Sequence, residues 1–261
     1  MRSFRPIRNA FWAALRSLCV IAIAVAGAAR SASAEEATSP FMLTLQAIEG
    51  ALLELLSPAG KESKWRLDHE ASSGLDHVDV VDVGEQPKRV PAPAPDASPK
   101  ERVNDLFRAP NVWRWGIRAR SLGHASIVLA PEPAAEGDRK LIEVDVVGEA
   151  QDAAVRLPLQ EGEHVLLEIL ANPSTGAQWR INASESTGLA FIKVQPGRTY
   201  DPSDPTDWRG RKIVGAPQLQ EWQIEPIAPG LAHVALSYGQ PWEEQKVFRR
   251  LSIDAAIAAP R

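Results

Sequence analysis

The sequence predicts an all-β protein that contains two tandem β-sandwich domains after an N-terminal signal peptide. Three observations lead to this prediction. Short segments alternate apolar and polar residues, as half-buried strands do. Turn residues separate these segments at intervals of roughly ten residues, which is typical of sandwiches. Several blocks of sequence also occur twice with a nearly constant offset, which indicates a duplicated domain.

Residues 1–34 have the layout of a secretory signal peptide, so we exclude them from the fold. A basic region comes first, an apolar region follows, and a small-residue cleavage site ends the segment. These parts are, in order, Arg2 with Arg5, Arg8 and Arg16; residues 18–29; and Ala32-Ser33-Ala34. The apolar run is shorter than the ~20 residues of a transmembrane helix, although an uncleaved N-terminal anchor is the alternative. We expect a periplasmic or secreted protein that is not inserted in the membrane after cleavage.

The chain that follows the signal peptide is acidic and lacks cysteine. Cys19, the single cysteine, lies within residues 1–34. No disulfide, thiol nucleophile or cysteine-based metal site is therefore expected after cleavage. Cleavage also removes five arginines and no acidic residues, which changes the formal net charge from −4 to −9. This charge argues against binding to nucleic acids or to anionic membranes.

An internal repeat spans most of the remaining chain. In each copy an apolar strand is followed by a Trp-Arg-aliphatic triplet and a Ser-x-Gly-Leu motif, with an offset of 114 residues between copies. After an insertion or deletion the offset becomes 107, and a Trp, a Gly and a strand still match. The matched segments are 51–56 with 165–170, 65–67 with 179–181, 72–75 with 186–189, 109–112 with 216–219, Trp115 with Trp222, Gly123 with Gly230, and 125–129 with 232–236.

The division between the copies is predicted at residues 131–138, whose Pro, Gly and acidic residues suit a linker. We therefore assign residues 35–133 to a degenerate first domain and residues 140–261 to the second. Long loop inserts lie between the same matched blocks, at 91–95 in the first copy and 199–211 in the second. One topology used twice would produce such equivalent inserts.

The strands themselves are predicted from alternation. Residues 141–147 alternate apolar with polar side chains and are placed in the second domain, which a strand over 248–254 would close. Further strands of this domain are predicted at 155–159, 164–170 and 232–236. Apolar residues in 43–56 also have near-helical spacing, so a helix is the alternative there. The repeat favours a strand over the second half of that stretch.

Three loop segments of the second domain precede or follow strands, so they can meet at one end of a sandwich. The first is Asn-Pro-Ser-Thr-Gly-Ala-Gln-Trp at 172–179, the second begins at 215 and runs to Trp222, and the third covers 238–242. In this order they resemble the N-P-T-T-G-aromatic-x-W, G-x-G-G and R-P-W loops of the chagasin family of protease inhibitors. The resemblance covers roughly residues 141–255.

The resemblance implies an immunoglobulin-like fold and a reversible, non-covalent inhibitor of papain-like cysteine proteases. Family members are understood to insert the three loops into the protease cleft as a wedge. Loop 172–176 would then approach the catalytic centre, and residues 240–242 would pack beside the cleft. The protease-binding residues implied here are Asn172, Pro173, Ser174, Thr175, Gly176, Gly215, Ala216, Pro217, Gln218, Gln240, Pro241 and Trp242.

Five positions depart from the family pattern. Ser174 stands where the family has Thr, and Ala177 where it has an aromatic residue. Pro217-Gln218 replaces the glycine pair of the second loop, and Gln240 replaces the arginine of the third. A stiffer second loop and the loss of a charged contact imply altered target choice or weaker affinity.

The residues of these loops suit a binding surface on physical grounds. Pro173 and Pro241 restrict φ, which lowers the entropy lost on docking. Gly176 permits a left-handed turn. Trp242 offers a large rigid surface of the kind that dominates interfaces. Trp179 and Trp222 have counterparts in the first copy and are expected in the core, whereas Trp242 has no aromatic counterpart.

The sequence predicts no enzyme, no metal and no cofactor. The five histidines stand apart in sequence and do not have the spacing of metal ligands. No phosphate-binding glycine motif occurs. The second hypothesis is a non-inhibitory immunoglobulin-like binding or assembly module of the cell envelope. The missing glycine pair and the missing arginine favour it. A hydrolase is the third hypothesis, and no motif favours it.

Overall fold

A computed structural model describes residues 40–56, 64–87, 111–132, 139–148, 152–201, 217–243 and 246–259. The predicted signal peptide, the predicted linker at 133–138 and most of both long inserts lie outside these residues. The described residues form fourteen strands and one short 3₁₀ helix. The strands are β1 (Phe41–Gln46), β2 (Gly50–Leu56), β3 (Lys64–Leu67), β4 (Val78–Pro87), β5 (Asn111–Ala119), β6 (Gly123–Glu132), β7 (Lys140–Val147), β8 (Asp152–Gln160), β9 (His164–Ala171), β10 (Gln178–Ile181), β11 (Ile192–Tyr200), β12 (Gln218–Pro226), β13 (Gly230–Gly239) and β14 (Val247–Ala258).

Alternating side chains along the strands build the core, as the sequence predicts. In β1, for example, Phe41, Leu43 and Leu45 are buried while the residues between them are partly or fully exposed. The stretch 43–56 contains the end of β1, a turn and β2, so the helical alternative is excluded. Buried side chains from both sheets form a single apolar cluster, and the all-β sandwich is confirmed.

The strands form two sheets, and both sheets contain strands from the two halves of the chain. One sheet has eight strands in the order β10-β13-β14-β8-β1-β7-β6-β3. The other has six in the order β11-β12-β9-β2-β5-β4. The first seven strands of the chain contribute four to one sheet and three to the other, and so do the last seven. Four plus three strands is the arrangement of a seven-stranded immunoglobulin-type sandwich.

The first half of the described chain (β1–β7) and the second half (β8–β14) are joined edge to edge. β1 pairs antiparallel with β8 in the larger sheet, and β2 pairs antiparallel with β9 in the smaller one. Without these pairs, each half would have two additional strand edges with unpaired backbone groups. The sequence did not indicate this continuity, because alternation fixes which face of a strand is buried and does not identify its neighbour.

β7 pairs with strands that precede it in the chain. It pairs antiparallel with β6 and parallel with β1, and these two are its neighbours in the sheet. β14 has the corresponding pairings with β13 and β8 in the second half. This pairing differs from the assignment of residues 141–147 to the second domain. The alternation of that strand suits either domain, and only its partners distinguish the two.

The repeated motifs make equivalent contacts in both halves. The indole nitrogens of Trp65 and Trp179 donate to the carbonyls of Leu56 and Leu170, at 2.9 and 2.8 Å. The serine of each Ser-x-Gly-Leu motif accepts from a backbone N–H of the neighbouring strand at 3.0 Å, from Val128 in the first half and Ala235 in the second. In both halves, therefore, the same side chains satisfy equivalent backbone groups of the strands.

Candidate functional site

The first candidate loop is a rigid turn built from its own hydrogen bonds. Residues Pro173–Thr175 form the 3₁₀ helix, which follows β9 directly. The carbonyl of Asn172 accepts from the backbone N–H and the hydroxyl of Thr175, at 3.1 and 2.7 Å. The hydroxyl of Ser174 donates to the side-chain carbonyl of Asn172 at 2.5 Å. Pro173 restricts φ at the first helical position, where no N–H is needed. The three residues of the helix are exposed, so a pre-formed turn faces solvent.

Gly176 ends this turn in a left-handed conformation and lies under Trp242. Its φ is +72°, and its N–H donates to the carbonyl of Pro173 at 3.0 Å. A Cβ added at this position would lie 2.5 Å from Cη2 of Trp242. The glycine is therefore required twice, by its backbone angle and by the indole ring that covers it. The sequence predicted the first requirement and did not indicate the second.

The third loop is held against the first. β10 pairs with β13, with Gln178 opposite Gly239, so the two loops leave adjacent strands. The side-chain amide of Gln240 donates to the carbonyl of Thr175 at 3.1 Å. Pro241 is partly buried, and Trp242 is 68% exposed. The two loops thus form one continuous surface that presents an indole to solvent.

The described part of the second loop lies on the other side of the first. Gln218 begins β12 and pairs with Ala171, the last residue of β9 before the turn. The side-chain amide of Gln218 donates to the carboxylate of Asp201 at 2.9 Å, and Pro217 is exposed. Gly215 and Ala216 lie outside the described residues. The described parts of the three loops therefore lie at one end of the second half, in the order that β12, β9 and the β10–β13 pair dictate.

Aromatic residues hold the base of the loops. The hydroxyl of Tyr238 accepts from the N–H of Asn172 at 2.7 Å, and its ring lies 5.2 Å from that of Trp179. The indole of Trp179 donates in turn to the carbonyl of Leu170. Sequence reasoning missed the role of Tyr238, which follows from the position of its hydroxyl across two strands. Its place beside the Gly-Gln-Pro-Trp segment was the available signal.

The tryptophans divide as the sequence predicts. Trp179 and Trp222 are 5% and 2% exposed, and their counterparts Trp65 and Trp115 are similarly buried. Trp242, which has no such counterpart, is exposed. Trp208 lies outside the described residues. A large apolar side chain that is exposed to solvent beside a rigid turn is typical of a binding surface.

The part of the chain that the structure describes holds no group of three or more His, Cys, Asp or Glu residues arranged to bind a metal. Within the same residues, no helix is long and apolar enough to cross a membrane. The described residues of the candidate site present hydrogen-bonding and apolar groups.

Comparison with known proteins decides the family. A family model described as Chagasin family peptidase inhibitor I42 matches residues 158–257. Amoebiasin-2 of Entamoeba histolytica is 31% identical over 97 residues, which are 36% of this chain and 77% of that protein. The chain belongs to the chagasin family of peptidase inhibitors. This membership confirms the resemblance that the loops suggested, and it supports inhibition of cysteine proteases by a protein that is not an enzyme.

Solved structures of similar proteins include the following two. The cysteine protease inhibitor EhICP2 from Entamoeba histolytica is 26% identical, with a TM-score of 0.32, and the match covers 40% of this chain and 86% of that one. PbICP-C in complex with falcipain-2 is 16% identical, with a TM-score of 0.30, and the match covers 44% and 95%. The matched share of this chain is less than half in each case.

Proposed function

We propose that the protein is a reversible, non-covalent inhibitor of papain-like cysteine proteases that inserts three loops of its C-terminal half into the protease cleft. The observation that carries the proposal is the convergence of the three family-type loops at one end of the sandwich. The binding residues would be the exposed turn at 172–176, the segment 215–218 and the segment 240–242. The observed contacts between Gly176 and Trp242 and between Thr175 and Gln240 support a single binding surface.

The rigidity of this surface favours tight binding. Internal hydrogen bonds and two prolines fix the backbone before the partner arrives, so less conformational entropy is lost on docking. Blocking of the cleft requires no nucleophile on this surface. Trp242 would supply the largest apolar contact, since its ring is exposed and its position is fixed by Gly176 beneath it.

The departures from the family pattern have a structural counterpart at Gln240. In place of an arginine that reaches the enzyme, this side chain is bonded to the neighbouring loop. We propose that loop rigidity here substitutes for one charged contact with the protease. A consequence is weaker salt dependence of association than an arginine-bearing loop would give.

We further propose that the chain is a tandem duplication exported through a cleaved signal peptide at 1–34 into the periplasm or the medium. The equivalent contacts of the two halves support the duplication. The pairing of β7 favours a boundary between β7 and β8, near residues 148–152, over the one predicted at 134–139. The first half would then be a degenerate copy, since it lacks the loop residues of the second.

The test is inhibition of papain and of a cathepsin-L-like enzyme by the purified protein, titrated at fixed substrate concentration. Reversible competitive inhibition is the expected result. Absence of inhibition at micromolar concentrations across several papain-like enzymes would contradict the proposal. That outcome would favour a non-inhibitory binding or assembly module of the cell envelope.

Trp242→Ala tests whether the proposed loops carry the inhibition. Truncation of a central aromatic anchor typically costs at least about 2 kcal/mol, which corresponds to a roughly 30-fold rise in Ki. Ile227→Ala is the matched control, because Ile227 is 53% exposed and follows β12 at the opposite end of the same half. The control should leave Ki unchanged. Equal effects of both substitutions would refute the assignment of the loops.

A further inference from the structure

A buried ion pair links the two halves beside the candidate loops. Glu49 lies in the turn between β1 and β2 and has no solvent exposure. Its carboxylate accepts two hydrogen bonds from the guanidinium of Arg249 in β14, one to each oxygen, with Nη2 and Oε2 3.0 Å apart. Arg249 is also buried, at 7% exposure. A carboxylate of the first half and a guanidinium of the second are therefore desolvated together, in a paired geometry in which both carboxylate oxygens accept from the two Nη atoms.

The same carboxylate continues the backbone hydrogen bonding along β9 beyond the point where the pairing of β2 with β9 ends. β2 and β9 are paired only as far as Gly50 opposite Glu168. Leu170, two residues further along β9, has an N–H beyond the end of β2. Glu49 accepts from this N–H at 2.7 Å and from the N–H of Gln46 at 2.8 Å. A side chain of the first half thus takes the place of a missing strand partner, two residues before Asn172 begins the loop.

The ion pair holds the outgoing arm of the loop as well. The guanidinium of Arg249 lies over the ring of Trp179, with its carbon 5.6 Å from the ring centroid. Trp179 donates to the carbonyl of Leu170, so the two arms are also tied to each other. Glu49 therefore contacts β9, which leads into the loop, directly, and it contacts β10, which leaves the loop, through Arg249.

From this geometry we infer that Glu49 of the N-terminal half is a positioning residue for the protease-binding loop at 172–176. The inference rests on the function proposed above and assigns a role to the half of the chain that lacks the loop residues. The N-terminal half stabilises the base of the loop in the conformation that enters the protease cleft. Glu49 itself does not contact the protease.

The chain contains a matched control for this residue. Glu163 lies at the equivalent turn between β8 and β9, and it is 1% exposed. Its carboxylate accepts from the N–H of Gln160 at 3.0 Å and from Nζ of Lys140 in β7, whose nitrogen is 2.9 Å from Oε1. This carboxylate is also buried and also ion-paired with the other half. However, it lies at the start of β9, at the end opposite to the candidate loop.

The experiment compares Glu49→Gln with Glu163→Gln in the full protein. Both substitutions keep the size of the side chain and remove its charge, so both should lower the stability to urea. Only Glu49→Gln should raise Ki for papain, by about tenfold, since one loop-ordering charged hydrogen bond is lost. The increase should come from faster dissociation of the complex. Amide hydrogen exchange in residues 172–178 of the free protein should also accelerate in Glu49→Gln and not in Glu163→Gln.

The outcomes separate the two hypotheses. If the unsubstituted protein inhibits and both variants change Ki equally, or neither changes it, the positioning role is refuted. If the unsubstituted protein inhibits no papain-like enzyme, the proposed function fails, and hydrogen exchange alone decides whether Glu49 orders the loop. Should Glu49→Gln fail to fold, the double variant Glu49→Leu with Arg249→Met removes both charges together and is expected to fold. It should show the same accelerated exchange and the same loss of inhibition, and unchanged values would overturn the inference.

Discussion

Gly176→Ala is the substitution that most directly tests the geometry of the binding surface. The backbone at this position has φ of +72°, in the left-handed region that residues with a Cβ avoid. The added methyl would also lie 2.5 Å from Cη2 of Trp242, well inside van der Waals contact. The substitution therefore disturbs the turn and the indole at once, without removing any atom that would contact the protease.

The size of the effect follows from these two terms. A left-handed conformation costs a residue with a Cβ about 1–2 kcal/mol relative to glycine. The indole must also move by about 1 Å to restore an ordinary carbon–carbon separation. If the free loop relaxes to relieve the strain, this energy must be supplied again on binding. We expect Ki to rise by roughly 5- to 30-fold, the equivalent of 1–2 kcal/mol.

The assay is inhibition of papain by four proteins: the unsubstituted chain, Gly176→Ala, Trp242→Ala and the double variant. In the Trp242→Ala background the methyl has no ring to displace, so Gly176→Ala should cost less there. Gly162→Ala is the control, because Gly162 has φ of +100° at the opposite end of the same half. It should lower stability without changing Ki. An equal cost of Gly176→Ala in both backgrounds would refute a role for the ring contact.

Three further predictions concern other parts of the molecule. Ile48 is a β-branched residue with φ of +69°, and Ile48→Gly should raise the free energy of unfolding by about 1 kcal/mol, measured by urea denaturation. Tyr238→Phe removes the hydroxyl that accepts from Asn172, so it should lower stability by about 1 kcal/mol and raise Ki several-fold in the papain assay. The hydrogen bond and charge of Asp145 raise the pKa of His124, so His124→Gln should destabilise the protein more at about pH 5.5 than at about pH 8 in urea titrations.

Each of these predictions has its own control or refuting result. Gly162 occupies the position equivalent to Ile48 with a positive φ, so a loss of stability in Ile48→Gly would contradict the strain argument. Tyr200, the other tyrosine, donates to Glu168 rather than to a residue of the 172–176 turn, and Tyr200→Phe should lower stability while leaving Ki unchanged. The stabilisation from protonated His124 is present below its unfolded pKa and is lost as pH rises through the raised folded value. A cost of His124→Gln that is equal at both pH values would show that the pair contributes nothing through charge.

The sequence by itself identified the loops because their residues are local requirements. A turn such as Asn172 to Gly176 closes with hydrogen bonds inside a five-residue segment, so its composition alone predicts its shape. The alternation of strands such as β1 likewise predicts which side chains enter the core. The internal repeat also separated core tryptophans such as Trp179 from the exposed Trp242.

The tertiary structure decided what depends on neighbours distant in sequence. The alternation of residues 141–147 suits either half of the chain. Only their pairing with β6 and β1 places them with the strands that precede them. The contact between Gly176 and Trp242 joins two loops 66 positions apart. Glu49 and Arg249 are separated by 200 positions. No local pattern encodes such a pair, because each residue is buried only by the fold that brings the other to it.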